Sequence, residues 1–305
     1  MPTQVRPLKD LGAASKRQNL VAHEMQADER RPLAFRIVAF NGVADLIWSG
    51  TNYAIPAYTN AYFDLSYPLP QGFAEGLEGP GPSHSGYYVL RNFIPQTAGA
   101  GSIFMSAQDT FFAGPHRDLA EAASEIRDTM AQIEGMSIDR EPAEITIGGR
   151  PASRPAWRID FSGVGLYRAM IITEMRCHLV SITLTAPDPQ ARETLAGSLD
   201  HVSLAAGRDP PVCIRNYATG DQLIRKVAPT DIAPSPMPIP TRIIIGNDGA
   251  VRHVHAIRAT DAQRKGIEQA LQQWTFKPHT VNGRAIEVET GLALRSGGGK
   301  VTSTD

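Results

Sequence analysis

The sequence predicts an α+β protein, an antiparallel sheet with helices packed on it, followed by a smaller unit built of two strands, a helix and a last strand. Three observations carry this. Short β-branched runs recur between turn residues, helical apolar spacing appears at isolated places among them, and a cluster of prolines divides the chain at 206–240. Consecutive strands joined by tight turns run antiparallel. Strands interrupted by single helices give a layered α+β sandwich rather than a doubly wound parallel sheet.

Length and composition agree. The chain has 305 residues, enough for two domains. It is 42% hydrophobic and 20% charged, which excludes disorder over its whole length. A net charge of −1 disfavours a generally basic nucleic-acid binder. Residues 1–213 carry 18 basic and 23 acidic side chains, and residues 214–305 carry 12 and 8, so a mildly acidic unit precedes a mildly basic one. No run of about 18 apolar residues is present, so no membrane-spanning helix is expected.

Residues 1–57 read as an N-terminal lead. Its first 33 residues lack periodicity. The apolar stretch 34–49 (Phe35, Ile37, Val38, Phe40, Val43, Leu46, Ile47, Trp48) adds a strand or a docked helix. No apolar core of a secretory signal occurs in the first 30 residues. Arg30-Arg31 is followed by Pro32, Arg36, Asn41 and Asp45, which break a twin-arginine pattern. The expectation is a cytosolic protein, or one whose export sequence is not in this chain.

Residues 58–205 form the larger domain. A strand around Tyr62–Leu69 runs into a Gly/Pro/Ser loop over 71–86, and Tyr87–Phe93 and Ser102–Ser106 are strands. His116–Glu134 is an amphipathic helix through Leu119, Ala122, Ala123, Ile126, Met130 and Ile133, with Gly135 as its cap. Strands follow at Ala143–Ile147, Ala152–Ser162, Val164–Met175 and His178–Thr185, the first two joined by a Gly148-Gly149 turn. Asp188–Val202 is the second helix, opened by Pro187-Asp188-Pro189. This element order, with the Gly148-Gly149 hairpin, resembles the PsbP-like α/β/α sandwich over about 58–205. Residues 206–240, with Pro210, Pro211, Pro229, Pro234, Pro236, Pro238 and Pro240, read as a linker or a strap along the surface.

Residues 241–296 are the smaller domain. Arg242–Gly246 is a strand, Asn247-Asp248-Gly249 a hairpin turn, and Ala250–Arg258 the return strand. Asp261–Gln273 is a helix with Ile267, Ala270, Leu271 and Trp274 on one stripe. An extended segment with Trp274, Phe276 and Pro278 leads to an Asn282-Gly283 turn and a last strand, Ala285–Arg295; 297–305 is a flexible tail. The order strand, Asp-Gly, strand, helix, Trp-x-Phe-x-Pro, Asn-Gly, strand resembles the TonB C-terminal domain over about 222–296. Leu223–Pro229 is similar to the segment that leads into it. The energy-transducing members carry an N-terminal membrane anchor, and this chain shows none.

The resemblance implies a non-enzymatic protein of the periplasm or cell envelope. It would recognise an extended peptide of a partner, such as an outer-membrane receptor segment, by adding a strand to an exposed edge. The candidate edge is the last strand, with Ile286, Val288, Thr290 and Leu292 on one face and Glu287 and Glu289 on the other. The alternative is that this strand is paired internally or covered by the 229–240 strap. Two other functions stay open: a module that dimerises through the same edge, and a hydrolase with an unrecognised site.

Chemistry-bearing motifs are sparse, and no cofactor, metal or nucleic acid is expected. Cys177 and Cys213 are either two small core residues or one bridge, and a bridge needs an oxidising compartment. His253 and His255 share a strand face without an obvious third metal ligand. Cys177 and His178, as strand neighbours, face apart. Ser83-His84-Ser85-Gly86 lacks the glycine spacing of a nucleophile elbow. Gly297-Gly298-Gly299-Lys300 lacks the features of a phosphate loop. Glu121/Glu125 and Glu141/Glu144 read as solvated charge. Trp157, Tyr167, Tyr87 and Tyr88 either pack the core or wall a cleft between sheet and helix for a small apolar ligand.

Overall fold

The computed structural model describes residues 57–304 except 61, 77–81, 84, 98–99, 113–117, 162, 205–210, 230–231, 233–234, 236 and 298–299. The lead up to residue 56, with its apolar stretch 34–49, and His84 lie outside the described residues. The fold is α+β, mostly antiparallel, with three α-helices among the described residues.

Strict alternation of side chains builds the main layer. Its strands are β3 (Phe73–Glu75), β4 (Tyr87–Pro95), β5 (Ser102–Asp109), β6 (Met136–Arg140), β7 (Glu144–Ile147), β8 (Arg150–Ser153), β9 (Ala156–Phe161), β10 (Val164–Met175) and β11 (His178–Ala186). They form a nine-stranded sheet in the order β3-β4-β5-β11-β10-β8-β7, with β9 pairing both β10 and β6. Ile103, Met105 and Ala107 of β5, Ile171 of β10, and Val180, Ile182 and Leu184 of β11 point to one face and are buried. On that face lie a small sheet of β1 (Ala57–Asn60), β2 (Leu65–Pro68) and β12 (Ser203–Leu204), and a helix, α2 (Pro189–Gly197). The opposite face carries α1 (Leu119–Ala131).

Local chemistry sets the helix bounds. Asp118 caps α1 by accepting the Glu121 amide at 2.8 Å, and Asp188 caps α2 by accepting the Ala191 amide at 2.8 Å. The expected second helix ends early, because 198–201 tighten into a 3-10 turn. The third helix, α3 (Asp261–Leu271), opens with a capping box between Thr260 and Gln263.

The C-terminal unit holds β15 (Ile239–Ile245), β16 (Val251–Ala256) and β20 (Val288–Gly297), with β15 in the middle. Around them lie β13 (Val212–Cys213), β14 (Leu223–Arg225), β17 (Thr275–Phe276), β18 (His279–Val281), β19 (Arg284–Ile286) and β21 (Lys300–Thr304). The β15–β16 turn needs its glycine: Gly249 has φ +81°, and a Cβ there would lie 2.0 Å from the Phe276 carbonyl oxygen. Asp248 does not share the positive φ; its carboxylate accepts the Ala250 amide at 3.1 Å. Asn282 and Gly283 both have positive φ, 51° and 76°, as a two-residue hairpin turn demands. Trp274 is buried and donates its indole N–H to the Val227 carbonyl at 2.7 Å, and Phe276 is buried beside it. Pro278 is exposed at the end of this segment.

Two segments differ from expectation. The proline-rich span contributes β13 and β14 to the C-terminal unit, and its last residues already belong to β15. The segment expected as a free tail pairs with β20, Ala293 opposite Thr304 and Gly297 opposite Lys300.

All seven residues of β15 are buried. An antiparallel strand is usually covered on one face only. Here Ile239, Ile243 and Ile245 pack under α3, while Ile244 joins the core of the larger unit. The two units therefore share a buried seam. A disulfide between Cys177, at the β10–β11 turn, and Cys213 of β13 closes it covalently. The bridge spans a sequence separation of 36, and chain entropy alone gives it about 4 kcal/mol of stabilisation. Cys213→Ser is expected to lower unfolding stability by that order in urea titration. Equal stability of variant and oxidised wild type would contradict a native bridge.

Candidate functional site

The seam is organised around one arginine. Arg242 of β15 is fully buried, and its guanidinium pairs with the carboxylates of Asp109 and Glu289, both also fully buried. The Arg242 Nε donates to Glu289 Oε1 at 3.1 Å, and the Tyr62 hydroxyl donates to the same oxygen at 3.0 Å. The Phe111 ring lies 4.9 Å from the guanidinium carbon. Alternation explains the placement: with Ile243 and Ile245 turned toward α3, Arg242 and Ile244 must face the larger unit. The same logic turns Glu289 inward while Val288, Thr290 and Leu292 face the other way.

The β10–β11 turn presents acceptors to this cluster. Arg176 and Cys177 both have positive φ, 44° and 59°, a conformation that non-glycine residues adopt only under constraint. It lets the Cys177 carbonyl accept from the Thr110 amide at 3.0 Å and the Thr110 hydroxyl at 2.8 Å. The Arg176 carbonyl accepts the Nδ1–H of His178 at 2.7 Å. His178 sits among the rings of Tyr62, Phe63 and Tyr88. Burial, and then the nearby Arg242 charge, hold its pKa well below the ordinary histidine value. Burial, then Arg242 and Arg264, push His255 down to about 3. Burial raises the pKa of both Asp109 and Glu289, against the opposing pull of Arg242.

Beside the seam lies an open cleft of about 740 Å³ between α1 and the exposed face of the main sheet. Its floor is the other half of the alternation: Phe104 and Ser106 of β5, Ser181, Thr183 and Thr185 of β11, and Met170 of β10. Ala122, Ile126 and Met130 of α1 form the opposite wall. Strand register orders the floor into rows. Arg168, Thr185 and Ser102 stand side by side at one end, and Leu179, Gln108 and Tyr87 at the other. Six residues separate these rows on β11, about 20 Å at the rise of a strand. Asp109 and Thr110 line the second end, so the cleft stops at the seam. The Ser106 and Ser181 hydroxyls bond each other at 2.7 Å.

The residues expected to act are distributed as follows. Val288, Thr290 and Leu292 are buried in β20, and Ile286 belongs to β19, paired with His279. The last strand is not an open edge. On the side away from β15, the Val212 amide donates to the Glu287 carbonyl at 2.9 Å and the Ile214 amide to the Glu289 carbonyl at 3.1 Å. Further along, β21 occupies the same side. Between them, a Cβ on Gly291 would lie 2.6 Å from the Phe111 side chain. Asp248, Gly249, Trp274, Phe276, Pro278, Asn282 and Gly283 shape the C-terminal unit and do not approach the cleft.

Among the aromatics expected at a cleft, Tyr87 lines it; Trp157 and Tyr88 are packed elsewhere in the core, and Tyr167 lies beneath Arg158. The Ser83 hydroxyl bonds that of Ser85 at 2.9 Å, in a loop. Among the described residues no three His, Cys, Asp or Glu side chains stand close enough to share a metal. Sequence reasoning missed Arg242, Asp109, Glu289 and Arg168. The only signal was a charged residue at an inward or floor position of a strand otherwise patterned for burial.

No family model matches the chain, and no curated protein matches it in sequence. Solved structures share parts of its shape. LpqN of Mycobacterium tuberculosis, described as involved in cell envelope biogenesis, is similar at 12% identity and a TM-score of 0.34, over 46% of this chain and 82% of its own. Cyanobacterial PsbP from Synechocystis is similar at 11% identity and 0.34, over 52% and 99%. The Ran-binding protein Mog1p of Saccharomyces cerevisiae is similar at 12% identity and 0.30, over 45% and 82%. Likeness at this level assigns neither a family nor an activity.

The histidine placement has a measurable consequence. A histidine held neutral in the native state leaves proton uptake to the unfolded chain below a pKa of about 6.5. Its contribution is complete above that pH and is lost as pH falls, by about 1.4 kcal/mol per unit. Asp109 and Glu289, with raised native pKa, act in the opposite sense, so the readout is a difference. His178→Phe is expected to lose less stability than wild type between pH 7.5 and 5.5, by about 1.4 kcal/mol in denaturant titrations. Identical pH slopes would contradict a neutral His178.

Proposed function

We propose that the protein is a non-enzymatic binding protein of an oxidising compartment, the periplasm or cell envelope, and that it holds a small elongated ligand in the cleft beneath α1. The cleft carries the reading: its volume of about 740 Å³ lies in the range of small-molecule sites, and it sets apolar side chains beside hydroxyl groups and one arginine that can orient a ligand. The Cys177–Cys213 bridge supports the compartment, since such bonds persist where thiols are not kept reduced. Binding is favoured over catalysis because Ser106 and Ser181, in the middle of the floor, bond each other rather than a base. His178, 3.9 Å from the Asp109 carboxylate of the end wall, is enclosed by rings and engaged by the Arg176 carbonyl.

A second reading keeps the peptide-recognition role that the TonB-like pattern implies. One observation favours it: the edge of β20 accepts a parallel strand, supplied by Val212–Cys213 of the chain itself. A partner strand, or a second copy pairing through the same edge, would have to displace a segment that the disulfide holds in place.

Native mass spectrometry of the protein isolated from its own cells tests the first reading. Wild type is expected to carry a co-purifying small molecule. Ile126→Trp, which fills the cleft from the α1 side, is expected to lose it while unfolding as cooperatively as wild type. A bound molecule retained by this variant, or none in wild type, would contradict the reading.

A further inference from the structure

The cleft is asymmetric in charge. Arg168 stands at the end far from the seam, and its Nε donates to the Thr185 hydroxyl at 3.0 Å. No carboxylate among the described residues is paired with it, and partial burial holds its pKa below the ordinary arginine value. Three other arginines at or near this sheet have acids: Arg91 has Glu75, Arg154 has Glu193, and Arg192 has Asp139. A partly desolvated guanidinium with an open fork is a carboxylate receptor. Two other charges line the cleft. Glu125 is on the exposed side of α1, and Asp109 is committed to Arg242 at the opposite end.

Beyond the arginine, apolar side chains alternate with the hydroxyls of Ser106, Ser181 and Thr183. Met170, Ile172, Phe104, Leu179, Ile126 and Met130 line the run toward the seam. The two methionines adapt to a chain of variable shape. The Ser106 and Ser181 hydroxyls bond each other across the floor. The floor extends about 20 Å from the Arg168 row to the Tyr87 row.

Building on the cleft as the binding site, we propose that its ligand is a linear amphiphilic carboxylate, its head clamped by Arg168 with Thr185 and its acyl body lying along the floor toward Asp109. The clamp sets selectivity for the acid, and the apolar run sets the preference for length. A neutral chain of the same length gains the apolar contacts alone.

Isothermal titration calorimetry on the full, oxidised chain tests this with laurate and 1-dodecanol as probes. Wild type is expected to bind laurate about tenfold more tightly than dodecanol, the effect of one charge-assisted contact. Arg168→Gln is expected to erase that ratio by weakening laurate alone, and Arg168→Lys to restore part of it. Equal affinities in wild type, or a ratio unchanged in Arg168→Gln, would overturn the carboxylate clamp. If both probes bind equally and Ile126→Trp abolishes both, the clamp fails and the cleft remains the binding site. If neither probe binds wild type that carries a co-purifying molecule, the ligand class is wrong and the binding reading stands.

Discussion

A guanidinium cut off from water has to be neutralised where it sits, and Arg242 is fully buried between two folded units. Removing such a charge from water costs several kcal/mol even after relaxation. Asp109 of the larger unit and Glu289 of the smaller one answer it from opposite sides. Neither unit satisfies this cluster alone. The larger supplies Asp109, Tyr62 and the Arg176 carbonyl, and the smaller supplies Arg242 and Glu289. Separating the units would leave Asp109 without its cation and the Arg242–Glu289 pair without its second carboxylate, a penalty of about 3–5 kcal/mol for a broken buried pair. That constraint makes the seam specific in register as well as in contact.

The rest of the architecture follows from it. The β10–β11 turn adopts its constrained backbone at Arg176 and Cys177, and its carbonyls then face Thr110 and the arginine. Cys177, held at that turn, reaches Cys213, and the bridge lays 212–214 along β20. Asp109 belongs at once to the cluster and to the end wall of the cleft. The floor strand that carries Phe104 and Ser106 is therefore positioned by the seam, and the cleft meets the charge cluster at Asp109.

Much of this fold was legible in the sequence. The long strands 164–175 and 178–186 show their β-branched runs, and α1 and α3 show their apolar stripes, because each is a local periodicity. Asn282-Gly283 and Gly249 declared turns that such residues favour. The seam was not legible. Arg242 in an Arg-Ile-Ile-Ile run and Glu289 in a Val-Glu-Thr run look like the solvated side of amphipathic strands. What buries them is a second unit that no local pattern encodes. For the same reason β20 read as an edge: its covering strand comes from 212–213, more than seventy residues upstream. Arg168 was hidden because a cleft floor and a solvent-facing strand share one alternation.

The buried Arg242 cluster joins the two units into one cooperative body. Differential scanning calorimetry tests it most directly. Oxidised wild type is expected to melt in a single transition whose van't Hoff and calorimetric enthalpies agree. Arg242→Met, which leaves Asp109 and Glu289 buried without a cation, is expected to split that transition into two. Two independent transitions in wild type, or one undivided transition at an unchanged temperature in Arg242→Met, would contradict the account.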